Sequence, residues 1–323
     1  MFKWNKLGRI FNPTEVKNRP WMKEFSQAPS TLVLDDVVRV YFSCRPEPDR
    51  DGNYVSLSAY ADFKRTNLLE LVSVSEKPLL ALGPLGSFDE FGAYFTSVIR
   101  SDAGVFAYYV GYTRCESVPF TINIGCAVSA DGGNNFKRLG AGPVLPCTVH
   151  EPFFLTVPRV KMFGDRYFMW YSAGRRWVIT KRRAEPVYKI RMATSIDGVH
   201  WVKENRDLIP CSIDANECQA CPDVFFYRDK YHMFFSYRSH ENYHGKEGGY
   251  RIGYASSIDL FNWIRDDSKA GLGVSESGWD SEMVSFPHTL ILDDEVYLFY
   301  LGNQMGRHGF GLAKLMSFNG LSL

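Results

Sequence analysis

No stretch of the 323 residues approaches the run of about 18 uncharged apolar residues that a membrane-spanning helix needs. The opening MFKWNKLGRIFNP also lacks the apolar core of a secretory signal. Together these absences give the expectation of a cytoplasmic protein with no membrane span. An excess of charge is missing too, since 37 Lys and Arg stand against 36 Asp and Glu. The basic residues are scattered apart from Lys181, Arg182 and Arg183, a triplet read as solvated loop, so no nucleic-acid partner is expected. Seven cysteines, an odd number, do not make a disulfide framework and point to reduced thiols. Cys218 and Cys221 form one Cys-x-x-Cys, but the second ligand pair that a zinc site requires is absent, so no metal site is expected.

Aromatic residues, by contrast, are plentiful, with 24 Phe, 18 Tyr and 7 Trp, a composition that favours strands. They fall in a repeat. PSTLVLDDVVRVYFS from Pro29 recurs as TSVIRSDAGVFAYYV from Thr96, PRVKMFGDRYFMWYS from Pro158, PDVFFYRDKYHMFFS from Pro222 and PHTLILDDEVYLFYL from Pro287. Each copy is an apolar strand, a charged turn and a second strand carrying an aromatic doublet. The doublets are Tyr41 and Phe42, Tyr108 and Tyr109, Trp170 and Tyr171, Phe234 and Phe235, and Phe299 and Tyr300. Successive copies start 67, 62, 64 and 65 residues apart.

A third strand follows in INIGCAVSADGGNNF, YKIRMATSIDGVHW and YRIGYASSIDLFNW. Each ends in a polar turn where Ser129 and Asp131, Ser195 and Asp197, or Ser257 and Asp259 can bond nearby backbone amides. Phe136, Trp201 and Trp263 then pack back on the blade. With a connecting strand, each repeat makes a four-stranded antiparallel sheet. Five such sheets predict an all-β, five-bladed β-propeller spanning 1–323 as one domain. The stretch after Gly309 is too short to finish a blade, so the segment from Phe2 to Ile10 is expected to supply the missing strand.

The first strand of each blade lines the central channel, so residues just before each hairpin converge on one end of the axis. Glu217 and Glu282 lie five residues before Pro222 and Pro287, while Glu151 and Asp89 lie seven before Pro158 and Thr96. Paired carboxylates serve glycosidic bond cleavage, which makes Glu217 and Glu282 the leading catalytic candidates, with Glu151 and Asp89 behind them. The competing reading of any such acid is a turn cap or an ion pair. Arg159, Arg238, Arg251 and His288 are candidates to hold a carboxylate, phosphate or hydroxyl of a substrate. Trp279, with Asp280 beside it in SGWDSEM, and Tyr237 are candidate contacts for a sugar.

These residues resemble the five-bladed glycoside hydrolase superfamily that includes families 32, 43, 62, 68 and 130, over nearly the whole chain. FSQAPSTLVLDDVVRVYFS, VPFTINIGCAVSADGG, HEPFFLTVPRV, GGYRIGYASSID, SESGWDSEMVSFP and GFGLA further resemble a group of bacterial proteins often encoded with surface-polysaccharide biosynthesis genes. The resemblance implies a protein that cleaves or transfers a glycosidic bond in a bacterial polysaccharide or its precursor, with an oligosaccharide or activated sugar as partner. It implies no cofactor, and leaves room for a calcium ion in the channel, as some relatives hold. Two alternatives stay open: a glycan-binding or assembly propeller without catalysis, and a phosphorylase or glycosyltransferase-like enzyme whose arginines receive phosphate. Family 32 enzymes keep acids in Arg-Asp-Pro and Glu-Cys-Pro, where this chain has Val157 and Ala220. The turn at Ser129, Asp131, Gly133 and Phe136 also matches the Asp-box of sialidases, but those propellers have six blades.

Overall fold

Five antiparallel sheets surround a common axis in the computed structural model, which describes residues 1–180 and 183–322. Each of the first four blades runs in simple order from the axis outward. Their inner strands are Glu24–Val33, Gly92–Ser101, Leu155–Phe163 and Cys218–Tyr227. The fifth blade has Ser285–Leu292 at the axis, then Glu295–Leu301 and Phe310–Phe318. Its next strand is the N-terminal segment Phe2–Phe11, paired from Phe2 opposite Phe318 to Phe11 opposite Phe310. The expected closure of the ring by the chain's start is therefore present, and the short strand Leu321–Ser322 extends the same sheet. Lys181 and Arg182 of the basic triplet lie outside the described residues. Arg183 is exposed and pairs with Glu185.

The aromatic doublets explain why the sheets pack radially. Successive side chains of a strand point to opposite faces. The first member of each doublet enters the core shared with the following blade and the second the core shared with the preceding one. Tyr41 and Tyr109 thus share one cluster, Tyr108 and Tyr171 the next, Trp170 and Phe235 the third, Phe234 and Tyr300 the fourth, and Phe299 and Phe42 the last. Two of the polar turns, those after Ser129 and Ser195, are fastened to this core from the neighbouring blade. Tyr41 donates to the carbonyl of Gly133 and Tyr108 to that of Gly198, each at 2.8 Å. Gly198 has φ of +76°, and a side chain there would strike the Tyr108 hydroxyl.

Every inner strand breaks its register at one level, between Gln27 and Ser30, Phe95 and Ser97, Thr156 and Arg159, Ala220 and Asp223, and Ser285 and His288. In four of the five, a left-handed residue directly precedes the repeat's proline: Ala28, Val157, Cys221 and Phe286. A bulge of this kind bends a strand and re-aims its side chains. The five breaks divide the axis into a closed interior and an open mouth.

A candidate functional site at the mouth of the channel

Below the bulges, the residues at one equivalent position, Ser30, Ser97, Arg159, Asp223 and His288, are all buried. Four of them accept a backbone N–H from the next blade. Ser30 takes Val98, Ser97 takes Val160, Asp223 takes Thr289 and His288 takes Thr31, at 2.6 to 3.0 Å. Arg159 cannot accept, and instead donates to the carbonyls of Pro29, at 2.8 Å, and Thr96. Because His288 Nε2 accepts from Thr31, its proton sits on Nδ1, 3.2 Å from Asp223. Burial drives its pKa down to about 4, so the ring is neutral. Asp223 is held below the usual carboxylate range: its burial is outweighed by Lys161 and His288.

Arg159 and His288 therefore belong to the axial ring and not to the wall of a substrate pocket. The ring also fails the test for calcium, which takes six to eight oxygen ligands. The one carboxylate, Asp223, is committed to Thr289 and His288, and Arg159 and Lys161 add positive charge. Among the described residues, no group of three or more His, Cys, Asp or Glu is arranged to hold a metal ion.

Three of the four acids singled out by offset, together with Asp280, form a different repeated device. Each pairs with a cation on the outermost strand of its own blade: Asp89 with Arg138 at 2.7 Å, Glu151 with Lys203 at 2.5 Å, Glu217 with Arg265 at 2.6 Å and Asp280 with Lys6 at 2.6 Å. Where the second aromatic of the doublet is a tyrosine, its hydroxyl completes the latch. Tyr109 donates to Asp89 at 3.0 Å, Tyr171 to Glu151 at 2.9 Å and Tyr300 to Asp280 at 3.1 Å. In blade 4 that position is Phe235, and Glu217 instead accepts from Gln219 at 2.8 Å and from the backbone of Ser212 and Ile213. Glu217 is fully buried, and its pKa is lowered because the Arg265 and Gln219 bonds overcome the effect of burial.

This corrects the sequence expectation for Asp89, Glu151 and Glu217, whose carboxylates brace their blades. Asp280 is likewise a brace. Its neighbour Trp279 packs at a tilt against Tyr300, with ring centres 5.1 Å apart, and lies over Gly302 and Gly311, as part of the blade's packing. Arg251 donates to the carbonyls of Gly249, Tyr250 and Glu282 and ties a loop. Tyr237 carries the Arg265 guanidinium 4.6 Å from its ring centre. Glu282 differs from the other acids. It is half-buried, its backbone is fixed by Asn303 and Arg251, and its carboxylate has no hydrogen bond or ion pair among the described residues.

Above the bulges lies a cavity of about 240 Å³ to which every inner strand contributes: Gln27, Tyr94, Thr156 with Val157, Ala220 and Phe286. Phe154, Phe120, Tyr188, Tyr250 and Met305 add apolar wall. Phe120 and Phe154 continue into an aromatic strip with Trp177 on the long hairpin Arg166–Ile179 and Ala184–Ser195. One polar chain runs along the wall. Glu185 pairs with Arg183 at 2.6 Å and accepts from Tyr243 at 3.0 Å, while Arg238 lies 3.6 Å from the Tyr243 ring centre and donates to Tyr188 at 3.1 Å. Tyr188 and Tyr250 share a hydrogen bond. Of the four arginine and histidine candidates, Arg238 is the one that lines this cavity. Glu185 and the tyrosines of this polar chain were invisible to an offset argument, because they come from the third strand of blade 3 and from the loop between the second and third strands of blade 4.

No family model matches the chain. In sequence it is 31% identical over 315 residues, 97% of this chain and 99% of the relative, to uncharacterized protein MT1551 of Mycobacterium tuberculosis strain CDC 1551 / Oshkosh. Uncharacterized protein Rv1502 of strain ATCC 25618 / H37Rv matches to the same extent. Solved structures that share the five-bladed fold include a glycoside hydrolase, at a TM-score of 0.74 and 16% identity over 100% of this chain and 94% of that one. A β-1,2-mannobiose phosphorylase from Listeria innocua, in complex with β-1,2-mannobiose, matches at a TM-score of 0.69 and 11% identity over 97% and 96%. A thermostable family-43 glycoside hydrolase matches at 0.64 and 15% over 92% and 91%.

Proposed function

We propose that this chain, which belongs to the family of the two mycobacterial relatives, is a carbohydrate-active propeller that takes a saccharide into the mouth pocket and cleaves or transfers its glycosidic bond. The observation that carries this reading is the convergence of all five bulged inner strands on one aromatic-walled cavity holding a hydrogen-bonded carboxylate, Glu185. Aromatic and apolar walls with a few placed polar groups suit the two-sided chemistry of a sugar ring. A Glu217 and Glu282 pair does not serve, because Glu217 sits in the brace of blade 4 with Arg265 and does not line the cavity. Proton transfer falls to Glu185 in the wall; Glu282 does not line the cavity, but its carboxylate is unpaired and its neighbour Met283 packs in the same cluster as the wall residue Tyr250. Solved structures of the same fold, one named as a family-43 glycoside hydrolase and another holding a disaccharide, lend support.

Glycan binding without turnover is the second reading. It is favoured by the apolar Val157 and Ala220 at the bulges and by the engagement of Glu185 with Arg183. A screen of free, nucleotide-linked and lipid-linked oligosaccharides against the wild type, Glu185→Gln and Glu282→Gln decides between them. Saturable binding with product formation, lost in either variant, supports the enzyme. Binding unaccompanied by product supports the second reading, and no binding by any class contradicts both.

A further inference from the structure

Some buried cations of the blades meet carboxylates, whereas Arg159 in the axial ring, Lys189 and Arg238 pair with none among the described residues, and of these three Arg238 is the one that lines the mouth pocket. Arg39, Arg191 and Arg265, with side chains 4 to 7% exposed, meet Asp62, Glu151 and Glu217 at 2.8, 3.1 and 2.6 Å. Arg238 is 5% exposed and pairs with no carboxylate among the described residues. Its contacts are the Ser239 carbonyl at 2.7 Å, the Tyr188 hydroxyl and three tyrosine rings, and its Nε has no partner. Among the described residues, the other two charged ones lining the cavity, Arg183 and Glu185, neutralise one another.

A guanidinium stays charged, and burying it without a counter-ion costs several kcal/mol in general. The tyrosine rings recover part of that through cation–π contact. The remaining positive charge sits in an apolar cavity, where its attraction for an anion is stronger than at a wet surface.

We infer that the mouth pocket selects a saccharide bearing an anionic substituent, a phosphate or a carboxylate, which Arg238 receives through its unpartnered Nε–H. The inference rests on the saccharide reading above and adds the charge of the ligand to it. The planar fork of an arginine suits both groups, since each offers two oxygens in one plane. Arg238 is then a binding residue, and the Tyr188, Tyr243 and Tyr250 cage fixes its orientation.

Titration calorimetry with matched neutral, phosphorylated and uronate-containing saccharides tests this, using the wild type, Arg238→Gln and Arg238→Lys. The expected result is that an anionic member binds roughly 10- to 100-fold more tightly than its neutral counterpart, and that Arg238→Gln removes the difference while Arg238→Lys keeps part of it. Which anionic member wins separates phosphate from carboxylate. Equal affinity for neutral and anionic members overturns the inference and leaves the saccharide reading standing; absence of binding by every member overturns both. A measurement on the wild type alone covers the case in which the variants do not fold. Inorganic phosphate at constant ionic strength should raise the melting temperature relative to chloride if the site exists, and an unchanged melting temperature together with equal affinities counts against it.

Discussion

Glu217 and Arg265 meet at 2.6 Å inside blade 4, joining the start of the blade's inner strand to its outermost strand. The same relation links Asp89 to Arg138, Glu151 to Lys203 and Asp280 to Lys6, so four blades are braced from axis to rim by an ion pair. Removing one partner of a buried pair leaves the other charge uncompensated. Glu217→Gln should therefore lower the unfolding free energy by about 3 to 5 kcal/mol in urea titrations. Saccharide affinity of the folded variant should be unchanged. The folded pKa of Glu217 lies below its unfolded value, so its contribution is complete above roughly pH 4.3 and is lost as pH falls further.

His288 titrates in the opposite sense to a salt-bridged histidine. Its folded pKa of about 4 lies below the unfolded value near 6.5, so the unfolded chain binds an extra proton between the two. Stability contributed by the neutral ring is complete above about pH 6.5 and declines as pH falls toward 4. His288→Asn should be less stable than the wild type at pH 7 and show a flatter profile from pH 6.5 to 4, read by denaturant titration. An unchanged slope in the variant would show that other groups set the acid limb.

Ring closure depends on Phe2, which is 1% exposed and touches the rings of Phe225, Phe234, Tyr254 and Phe318. Phe2→Ala should cost about 3 to 5 kcal/mol, a loss comparable to truncating an aromatic in the middle of a blade. Equal stability of Phe2→Ala and wild type in thermal unfolding would mean that the N-terminal strand is dispensable for closure.

Glu282 offers a contrast among the acids. With a half-buried, unpaired carboxylate, Glu282→Gln should change stability by no more than about 0.5 kcal/mol. A loss of turnover in that variant at unchanged stability would assign it to the chemistry, which the braced acids cannot serve.

The architecture was legible because five aromatic doublets at nearly constant spacing record the period-2 geometry of strands facing two neighbours at once. Even the closing strand followed, since the last repeat visibly lacks one. The site was much less legible. Aligning Glu217 with Glu282 by a five-residue offset obscured that Asp280, Glu151 and Asp89 all stand seven residues before the repeat's first position. That shared offset, with the tyrosine of the doublet, is the signature of the brace. Arg238 alone of the candidate cations reached the pocket, and no local pattern separates it from Arg159, because only the bulge decides which residues fall above it and which below.

The most direct test of the mouth pocket is calorimetric titration of a saccharide that binds the wild type into Thr156→Trp, a substitution that fills the cavity from a partly exposed wall position. Affinity should fall at least tenfold while the circular dichroism spectrum of the propeller is retained. Undiminished affinity in a folded Thr156→Trp protein would place the saccharide elsewhere and contradict the account.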